Sequence, residues 1–397
     1  MCGRRALPLS SPAPVRGHFL DAVRAIGREV VAPAAADVDR AARFPREAVD
    51  ALREAGLLGI MVPRAAGGGG LALREGLAIA TELARHCAST AMIWSMHQIQ
   101  VACLARHGGD SAQLAEALRE VAHGGILLGS ATSEAGIGGG LRQSSAAVRR
   151  DGDACSLAKS APTVSYGFEA DALLITARRE SDAPPTDQVL ALVRREQMRL
   201  TPRSRWDTLG MRGTCSPGFD IEADFPVQQI LPIPFGQVAS QTMVPYSHLL
   251  WAACWIGIAS DALERARAFA RRQALASKAL PATLLARLTD IDRCVHLMHG
   301  SLARGLAIHE FESSDGSAAT ESFGAAIDLN AVKLSCSELV VEAVSGALAV
   351  CGMAGYSESS PFSVARHLRD AYSASLMIAN DRLLAASGAH LLTRSAR

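Results

Sequence analysis

The sequence predicts an α+β fold in which a helical segment, a β segment and a second helical segment follow one another. The apolar residues recur at helical spacing up to about residue 123, form short runs from 124, and return to helical spacing near 239. A length of 397 residues allows two or three domains. We therefore expect a disordered lead-in at 1–16, a helical domain at 17–123, a β domain at 124–238 and a helical bundle at 239–397.

The first helical domain is indicated by apolar residues on one helix face, such as Phe19, Val23 and Ile26. The stretch "FPREAVDALREAGLLGIMVP" brackets one short helix, because Pro45 suits a first helical turn and Gly56 suits a helix end.

The β segment is indicated by short runs between Gly, Pro, Asp and Ser residues, such as "ADALLITARR", "DQVLALVRR" and "FDIEADFPV". No helix-length pattern separates these runs, so we expect strands of antiparallel, barrel-like character. The last segment then shows helical periodicity in four blocks, 245–273, 282–312, 322–350 and 376–394, which predict an up-and-down four-helix bundle.

Composition narrows the class of partner. With 40 Lys+Arg against 39 Asp+Glu, mixed along the chain, we expect neither nucleic acid nor a membrane surface as partner, but a small molecule. The nine cysteines lack CxxC spacing, which favours a reducing cytoplasm. The stretch "DIDRCVHLMH" offers Asp292, His296 and His299 at helical spacing, but without a further cluster we interpret it as a polar stripe and predict no metal.

Several motifs occur in a fixed order: "CASTAMIWSMH" (87–97), "SATSEAGIGGG" (130–140), "LAKSAPTVSYGFEADALLITAR" (157–178), "WDTLGMRGTCSPGFDI" (206–221) and "VCGMAGYSESSPFSVARHLRDA" (350–371). Their order and spacing resemble the acyl-CoA dehydrogenase family of flavoproteins. The resemblance covers about residues 18–394 and implies that an N-terminal helical domain, a central β domain and a C-terminal four-helix bundle hold FAD between them.

The resemblance also implies which residues contact the flavin. "SATSEAGIGGG" matches the family's Thr-Glu-Pro-Gly-x-Gly-Ser loop, in which hydroxyl and backbone N–H dipoles stabilise a reduced flavin. Gly139 replaces the usual serine of that loop. The family places a Ser or Thr opposite flavin N5, and both Thr163 and Ser165 fit that position. The implied cofactor-binding residues are Ser133, Gly138, Gly139, Thr163, Ser165, Arg271, Gly352 and Gly355, whereas Arg212 is interpreted as structural.

The family's glutamate base has no counterpart in this sequence. Its common position falls on Ile378 when counted from Arg369, or on Ser375 when anchored on the downstream Arg-Leu. Its alternative position, on the first bundle helix, falls on Ser247 in the substrate pocket. None of these three side chains can take the α-proton that dehydrogenation of an acyl thioester requires.

Three explanations remain open. Asp381 is a candidate base if the loop is shifted in register, although the "AND" sequence also suits a helix N-cap. His97 and His248 are candidates because an imidazole titrates near neutral pH, although histidines on apolar helices are usually core residues. Alternatively no base is needed, as in flavin monooxygenases and oxidases of the same superfamily.

The resemblance therefore predicts a cytoplasmic FAD-dependent oxidoreductase that α,β-dehydrogenates an acyl thioester on CoA or acyl carrier protein with a non-standard base. The electron acceptor would be electron-transfer flavoprotein or oxygen, and the chain would form a homodimer or homotetramer. The alternatives are a flavin-dependent monooxygenase or oxidase on the same fold, and a non-catalytic scaffold.

Overall fold

The computed structural model describes residues 17–137, 140–277, 280–314 and 323–393. Helices give way to strands at Leu128 and return at Phe235, so the predicted order of helical, β and helical segments is confirmed. The buried side chains of all three segments form one continuous hydrophobic core.

The first segment contains six helices. Pro45 immediately precedes α3, and Gly56 follows it in the left-handed region with φ +70°, as the sequence predicts. A π-helical turn at Gly27–Val31 joins the first two helices. Their bounds are α1 Gly17–Ile26, α2 Ala32–Ala41, α3 Arg46–Glu54, α4 Leu73–His86, α5 Ala88–His107 and α6 Ala112–Gly124.

The middle segment contains two sheets. The three-stranded sheet has the order β1-β4-β5 and the four-stranded sheet the order β2-β3-β7-β6. Strand β7 alternates buried and exposed side chains, as its sequence predicts. The strand bounds are β1 Leu128–Ala131, β2 Arg149–Asp151, β3 Ala154–Ala161, β4 Ala172–Arg178, β5 Gln188–Arg194, β6 Met198–Pro202 and β7 Phe219–Pro226.

The antiparallel prediction is wrong for one pair of strands. β1 and β4 run parallel, with Leu128 opposite Ala172 and Ala131 opposite Ile175. The β2–β3 hairpin between them joins the other sheet, so the chain returns to β1 in the same direction without a crossover helix. Strand β6 was also not predicted, because its "MRLTP" run is short and polar.

The last segment is built on long helices. A short helix α7 (Phe235–Val238) precedes α8 (Val244–Ser277), α9 (Ala282–Ser314) and α10 (Phe323–Cys351), and the shorter α11 (Met353–Tyr356), α12 (Ala365–Ala371) and α13 (Asn380–Thr393) complete it. These confirm the four predicted helical blocks. The stretch Ala325–Cys351 is apolar and long enough to cross a membrane by composition alone, but it packs along α8 and α9 in the bundle.

The two helical segments pack directly on each other. At Gly257 of α8, an added Cβ would lie 2.3 Å from the Thr81 carbonyl oxygen of α4, so only glycine permits this approach. The Thr81 hydroxyl in turn donates to the Ala253 carbonyl. This contact fixes α8, which carries Ser247 and His248, against the N-terminal domain.

Candidate functional site

Hydroxyl groups lie side by side where two loops of the middle domain meet. The Ser133 hydroxyl donates to the Thr163 carbonyl over 2.7 Å, so the structure brings these two predicted flavin contacts together. The Ser165 hydroxyl accepts from Ser216 at 2.9 Å, and Ser216 lies 2.8 Å from the Thr214 hydroxyl.

This arrangement separates the two candidates for the group that faces the flavin. Thr163 is exposed, and within the described part of the chain its hydroxyl oxygen has no hydrogen-bond partner. Ser165 is only partly exposed and its hydroxyl is already used inside the protein. The geometry therefore favours Thr163. Gly138 and Gly139, the other predicted contacts in this region, lie outside the described residues.

Loop 206–216 joins the middle domain to the C-terminal domain. An added Cβ at Gly210 would lie 2.1 Å from the Arg369 carbonyl oxygen, so the loop contacts α12 backbone to backbone. The buried Asp370 carboxylate accepts the Met211 N–H at 2.6 Å. Arg212 donates to the carbonyl oxygens of Asp39 and Thr208, which agrees with the structural role expected for it.

Burial raises the pKa of Asp370 to about 6. A folded-state pKa above the usual 3.8 means that the folded protein binds this proton more tightly, so the free energy of unfolding falls as the pH rises through the window from about 4 to 6. We expect Asp370→Asn to remove this slope, which corresponds to about 3 kcal/mol over the window. Urea unfolding of both proteins at about pH 3.5 to 7 measures it; parallel pH profiles would contradict the assignment.

His97 connects the N-terminal domain to the middle domain. It is fully buried on α5, its Nε2 lies 3.0 Å from the Leu58 carbonyl oxygen, and its Nδ1 accepts the Leu128 N–H at 3.0 Å. Burial lowers its pKa to about 4, so the ring is neutral at physiological pH. Since both ring nitrogens bind backbone groups, the geometry favours a structural role over that of a base.

We expect His97→Ala to lower the free energy of unfolding by about 2 to 4 kcal/mol, because it opens a cavity and leaves the buried Leu128 N–H without its partner, whereas the Leu58 carbonyl keeps its bond from Gln98. Chemical denaturation measures this loss. The exposed His296 of α9 provides a control, since His296→Ala is expected to change stability by less than about 0.5 kcal/mol. Equal stabilities of the two variants would contradict the structural role.

The positions predicted for the family's glutamate, Ser247 and either Ile378 or Ser375, carry no carboxylate. The Ser247 hydroxyl is buried and donates to the Met243 carbonyl of its own helix over 2.6 Å. Ile378 has a left-handed backbone with φ +55°, a strained conformation for a β-branched residue. Its carbonyl accepts from the buried Lys333 at 2.8 Å, and Lys333 also donates to the Asn380 side chain at 2.5 Å.

His248 differs from His97. It is fully buried on α8, next to Ser247, and neither ring nitrogen has a hydrogen-bond partner among the described residues. Burial, with a smaller contribution from the positive charge of Lys333, lowers its pKa to about 4. The ring is therefore neutral near pH 7, and its nitrogens are available to hydrogen-bond a polar ligand.

Asp381 lies exposed in the first turn of α13, where a carboxylate is favourable for the helix dipole. The neighbouring Asn380 uses its side chain to bind Lys333 and Ser337 rather than to cap the helix. Asp381 as a base therefore stays a prediction, and among the described residues no hydrogen bond joins it to Ser247 or His248.

The residues predicted to contact the ADP half of FAD have local structural explanations. Gly352 adopts φ +55° at the turn after α10, which glycine favours. At Gly355 an added Cβ would lie 2.7 Å from Cys351, so its smallness is required inside this chain. Arg271 is exposed near the end of α8, while its neighbour Arg272 stacks on the Phe362 ring.

Sequence reasoning missed Lys159 and Lys333. The chain has only three lysines, Lys159, Lys278 and Lys333, against 37 arginines, and the first and last of these are buried. This rarity was the available signal, because buried ammonium groups are uncommon unless hydrogen bonds hold them.

Known proteins share this architecture. The family models named "Acyl-CoA dehydrogenase, N-terminal domain" and "Acyl-CoA dehydrogenase, C-terminal domain" match residues 16–125 and 236–377. Amino sugar nitrososynthase DnmZ of Streptomyces peucetius is 28% identical over 385 residues, which cover 93% of this chain and 87% of that protein. Probable acyl-CoA dehydrogenase FadE25 of Mycobacterium tuberculosis is 24% identical over 357 residues, 88% of each chain.

A solved structure extends the likeness to the whole fold. The X-ray structure of KijD3 in complex with FMN and dTDP-3-amino-2,3,6-trideoxy-4-keto-3-methyl-D-glucose has a TM-score of 0.86 at 24% identity, and the match covers 98% of this chain and 96% of that one. The order of the segments and the matches to both terminal domain models agree with this family. The chain belongs to the acyl-CoA dehydrogenase family of flavin-dependent oxidoreductases.

Proposed function

We propose that this protein is a flavin-dependent monooxygenase, which uses reduced flavin and dioxygen to oxygenate a heteroatom of a small molecule. The observation that carries this proposal is the state of the two base positions. Ser247, Ile378 and Ser375 provide no carboxylate, and the Ser247 hydroxyl and the Ile378 carbonyl are bound within the protein. Oxygenation does not begin with removal of an α-proton, so it needs no base at either position.

Two hydroxyl groups of the middle domain fit a flavin. The free Thr163 hydroxyl and the Ser133 hydroxyl lie together on an exposed edge of the middle domain, where they would bind the polar edge of the ring and hold its orientation. When bound, a reduced flavin supplies the two electrons that dioxygen needs. Buried helices such as α5 and α8 restrict access of water on the bundle side.

FMN is the flavin we propose, in place of FAD. Gly352 and Gly355, which the family resemblance assigns to the ADP half of FAD, have structural explanations within this chain. The KijD3 structure contains FMN, which supports the same choice. Equilibrium binding of FMN and FAD to the flavin-free protein tests it, and a tighter FAD complex would restore the FAD assignment.

The first substrates to test are nucleotide-linked amino sugars. DnmZ is named an amino sugar nitrososynthase, and KijD3 was crystallised with a dTDP-linked amino sugar. An amine nitrogen is a heteroatom that can accept an oxygen atom, whereas an acyl thioester offers a carbon from which a proton must leave.

A second candidate is dehydrogenation of an acyl thioester on CoA or acyl carrier protein with His248 as base. The unpartnered ring nitrogens of His248, beside the alternative base position Ser247, favour it. Its electron acceptor would be electron-transfer flavoprotein or oxygen.

One experiment separates these functions. The flavin-loaded protein is mixed anaerobically with acyl-CoA and acyl-carrier-protein thioesters, and separately it is reduced and mixed with oxygen and dTDP-linked amino sugars. We expect no bleaching near 450 nm by thioesters, about where oxidised flavins absorb, and oxygenated product in the second reaction. Bleaching by a thioester would replace the proposal with dehydrogenation. Failure to bind any flavin would favour a non-catalytic scaffold.

We also propose that the protein forms a homo-oligomer in the cytoplasm. Large apolar side chains of its C-terminal domain are exposed, among them Leu275, Leu376 and Leu392. Light scattering of the purified protein tests the oligomer, and a monomer would contradict it.

A further inference from the structure

A buried carboxylate that belongs to no predicted role directly follows Ser133 in the sequence. Glu134 is buried, and one of its carboxylate oxygens, Oε1, accepts the backbone N–H groups of Ser145 at 2.8 Å and Ala146 at 2.7 Å, together with the Ser145 hydroxyl. Its other oxygen, Oε2, accepts the Ser144 hydroxyl at 2.5 Å. Glu134 thus joins the start of the loop after β1 to residues 144–146, before β2.

A buried cation completes this arrangement. Lys159 on β3 has its Nζ 3.6 Å from Glu134 Oε2, and the same Nζ donates to the Thr176 carbonyl at 2.7 Å and the Thr176 hydroxyl at 2.8 Å on β4. Both side chains are almost completely inaccessible to solvent. A buried charge is costly unless it is paired and hydrogen-bonded, and here each partner meets that condition.

The pair connects the two segments that carry the predicted flavin contacts. Ser133 directly precedes Glu134, and Thr163 follows Lys159 by four residues, just beyond the end of β3. A cavity of about 410 Å³ lined partly by Ser145 and Ala146 leaves packing on that side incomplete. The hydrogen bonds to Glu134 therefore provide much of what holds residues 144–146 in place.

We propose that Glu134 and Lys159 act as a positioning pair for the flavin site: together they hold the Ser133 and Thr163 loops at the separation that flavin binding requires. The inference rests on the proposed flavin function and assigns no proton transfer to Glu134, because both of its oxygens already accept hydrogen bonds. The buried charge pair therefore sets the affinity of the protein for the flavin.

The main test is a double-mutant cycle of flavin affinity with Glu134→Gln, Lys159→Met and the two combined. Glutamine replaces one carboxylate oxygen with an amide NH2 group, which cannot accept from Ser144 or pair with Lys159, and methionine leaves Glu134 charged and unpaired. We expect each single variant to raise the Kd for FMN at least tenfold, and the double variant to be weakened less than the two effects combined. Fluorescence titration measures the Kd.

The matched control is Glu222→Gln in the same domain. Glu222 pairs with Arg199 on the surface, and both side chains are more than half exposed. It is expected to leave FMN affinity unchanged within twofold. The absorption spectrum of bound FMN gives a second signature, since a displaced Ser133–Thr163 edge shifts the flavin bands in the Glu134 and Lys159 variants but not in the control.

Hydrogen exchange of the flavin-free protein tests the pair without any flavin. The Ser145 and Ala146 amides should exchange faster in Glu134→Gln than in the unchanged protein and in the Glu222→Gln control. Faster exchange with unchanged FMN affinity would overturn the positioning role while leaving the proposed function intact. Absence of flavin binding by the unchanged protein would overturn both. If the single variants do not fold, an FMN affinity of the double variant equal to that of the unchanged protein would also overturn the proposal.

Discussion

Lys333→Met is expected to destabilise the protein by about 3 kcal/mol and to abolish most of its turnover. The substitution keeps the apolar length of the side chain but leaves the Ile378 carbonyl and the Asn380 side chain without their buried donor. The left-handed backbone at Ile378 then loses the bond that helps to hold it, and the loop between α12 and α13 is free to relax. Urea unfolding and product formation measure the two effects.

Two controls accompany this variant. Ser337→Ala removes a neutral hydroxyl of the same cluster, which contacts Asn380, and is expected to cost about 1 kcal/mol. Arg304→Met removes an exposed cation of α9 that pairs with Asp328, and a change of less than about 0.5 kcal/mol is expected. A Lys333→Met protein as stable and active as the Arg304→Met protein would show that Lys333 does not hold the loop.

Thr163→Val is expected to raise the Kd for FMN about tenfold, or about 1.4 kcal/mol. Valine has the shape of threonine without its hydroxyl, so the substitution removes the group that is free to face the ring and leaves the backbone bond to Ser133 in place. The loss should appear in flavin affinity rather than in the stability of the flavin-free protein. Fluorescence titration and chemical denaturation measure the two quantities separately.

Ser165→Ala is the matched control, because its hydroxyl is used by Ser216. We expect FMN affinity within twofold of the unchanged protein and a stability loss of at most about 1 kcal/mol. The reverse result, with affinity lost in Ser165→Ala and kept in Thr163→Val, would assign the flavin-facing position to Ser165.

The fold could be predicted where local pattern and packing agree. The helical blocks of the bundle and the short helix between Pro45 and Gly56 follow from apolar periodicity and end signals within a few residues. The parallel pairing of β1 with β4 could not be predicted, because the sheet that the β2–β3 hairpin joins depends on contacts between residues distant in sequence. Strand β6 lacks an apolar pattern and forms because β7 offers it a free edge.

The candidate site, like the fold, could be predicted only in part from the sequence. Motif order placed Ser133 and Thr163 correctly near each other, since a glycine-rich loop and a strand end carry recognisable sequences. The roles of His97 and His248 could not be told apart, because both lie on apolar helices. One is bound by the Leu58 and Leu128 backbone groups and the other is not, and those groups come from other elements.

The sequence alone determined that this chain belongs to the acyl-CoA dehydrogenase family, since that rests on local motifs in a fixed order, and it named the residues at the predicted glutamate positions. Only the tertiary structure decided which partners those residues have and what holds the Ser133 and Thr163 loops. Lys333 and Ile378 lie 45 residues apart, as Lys159 and Glu134 lie 25 apart, and each pair meets inside the core. Buried charges act through partners that folding brings near, and no local pattern reports which partners those are.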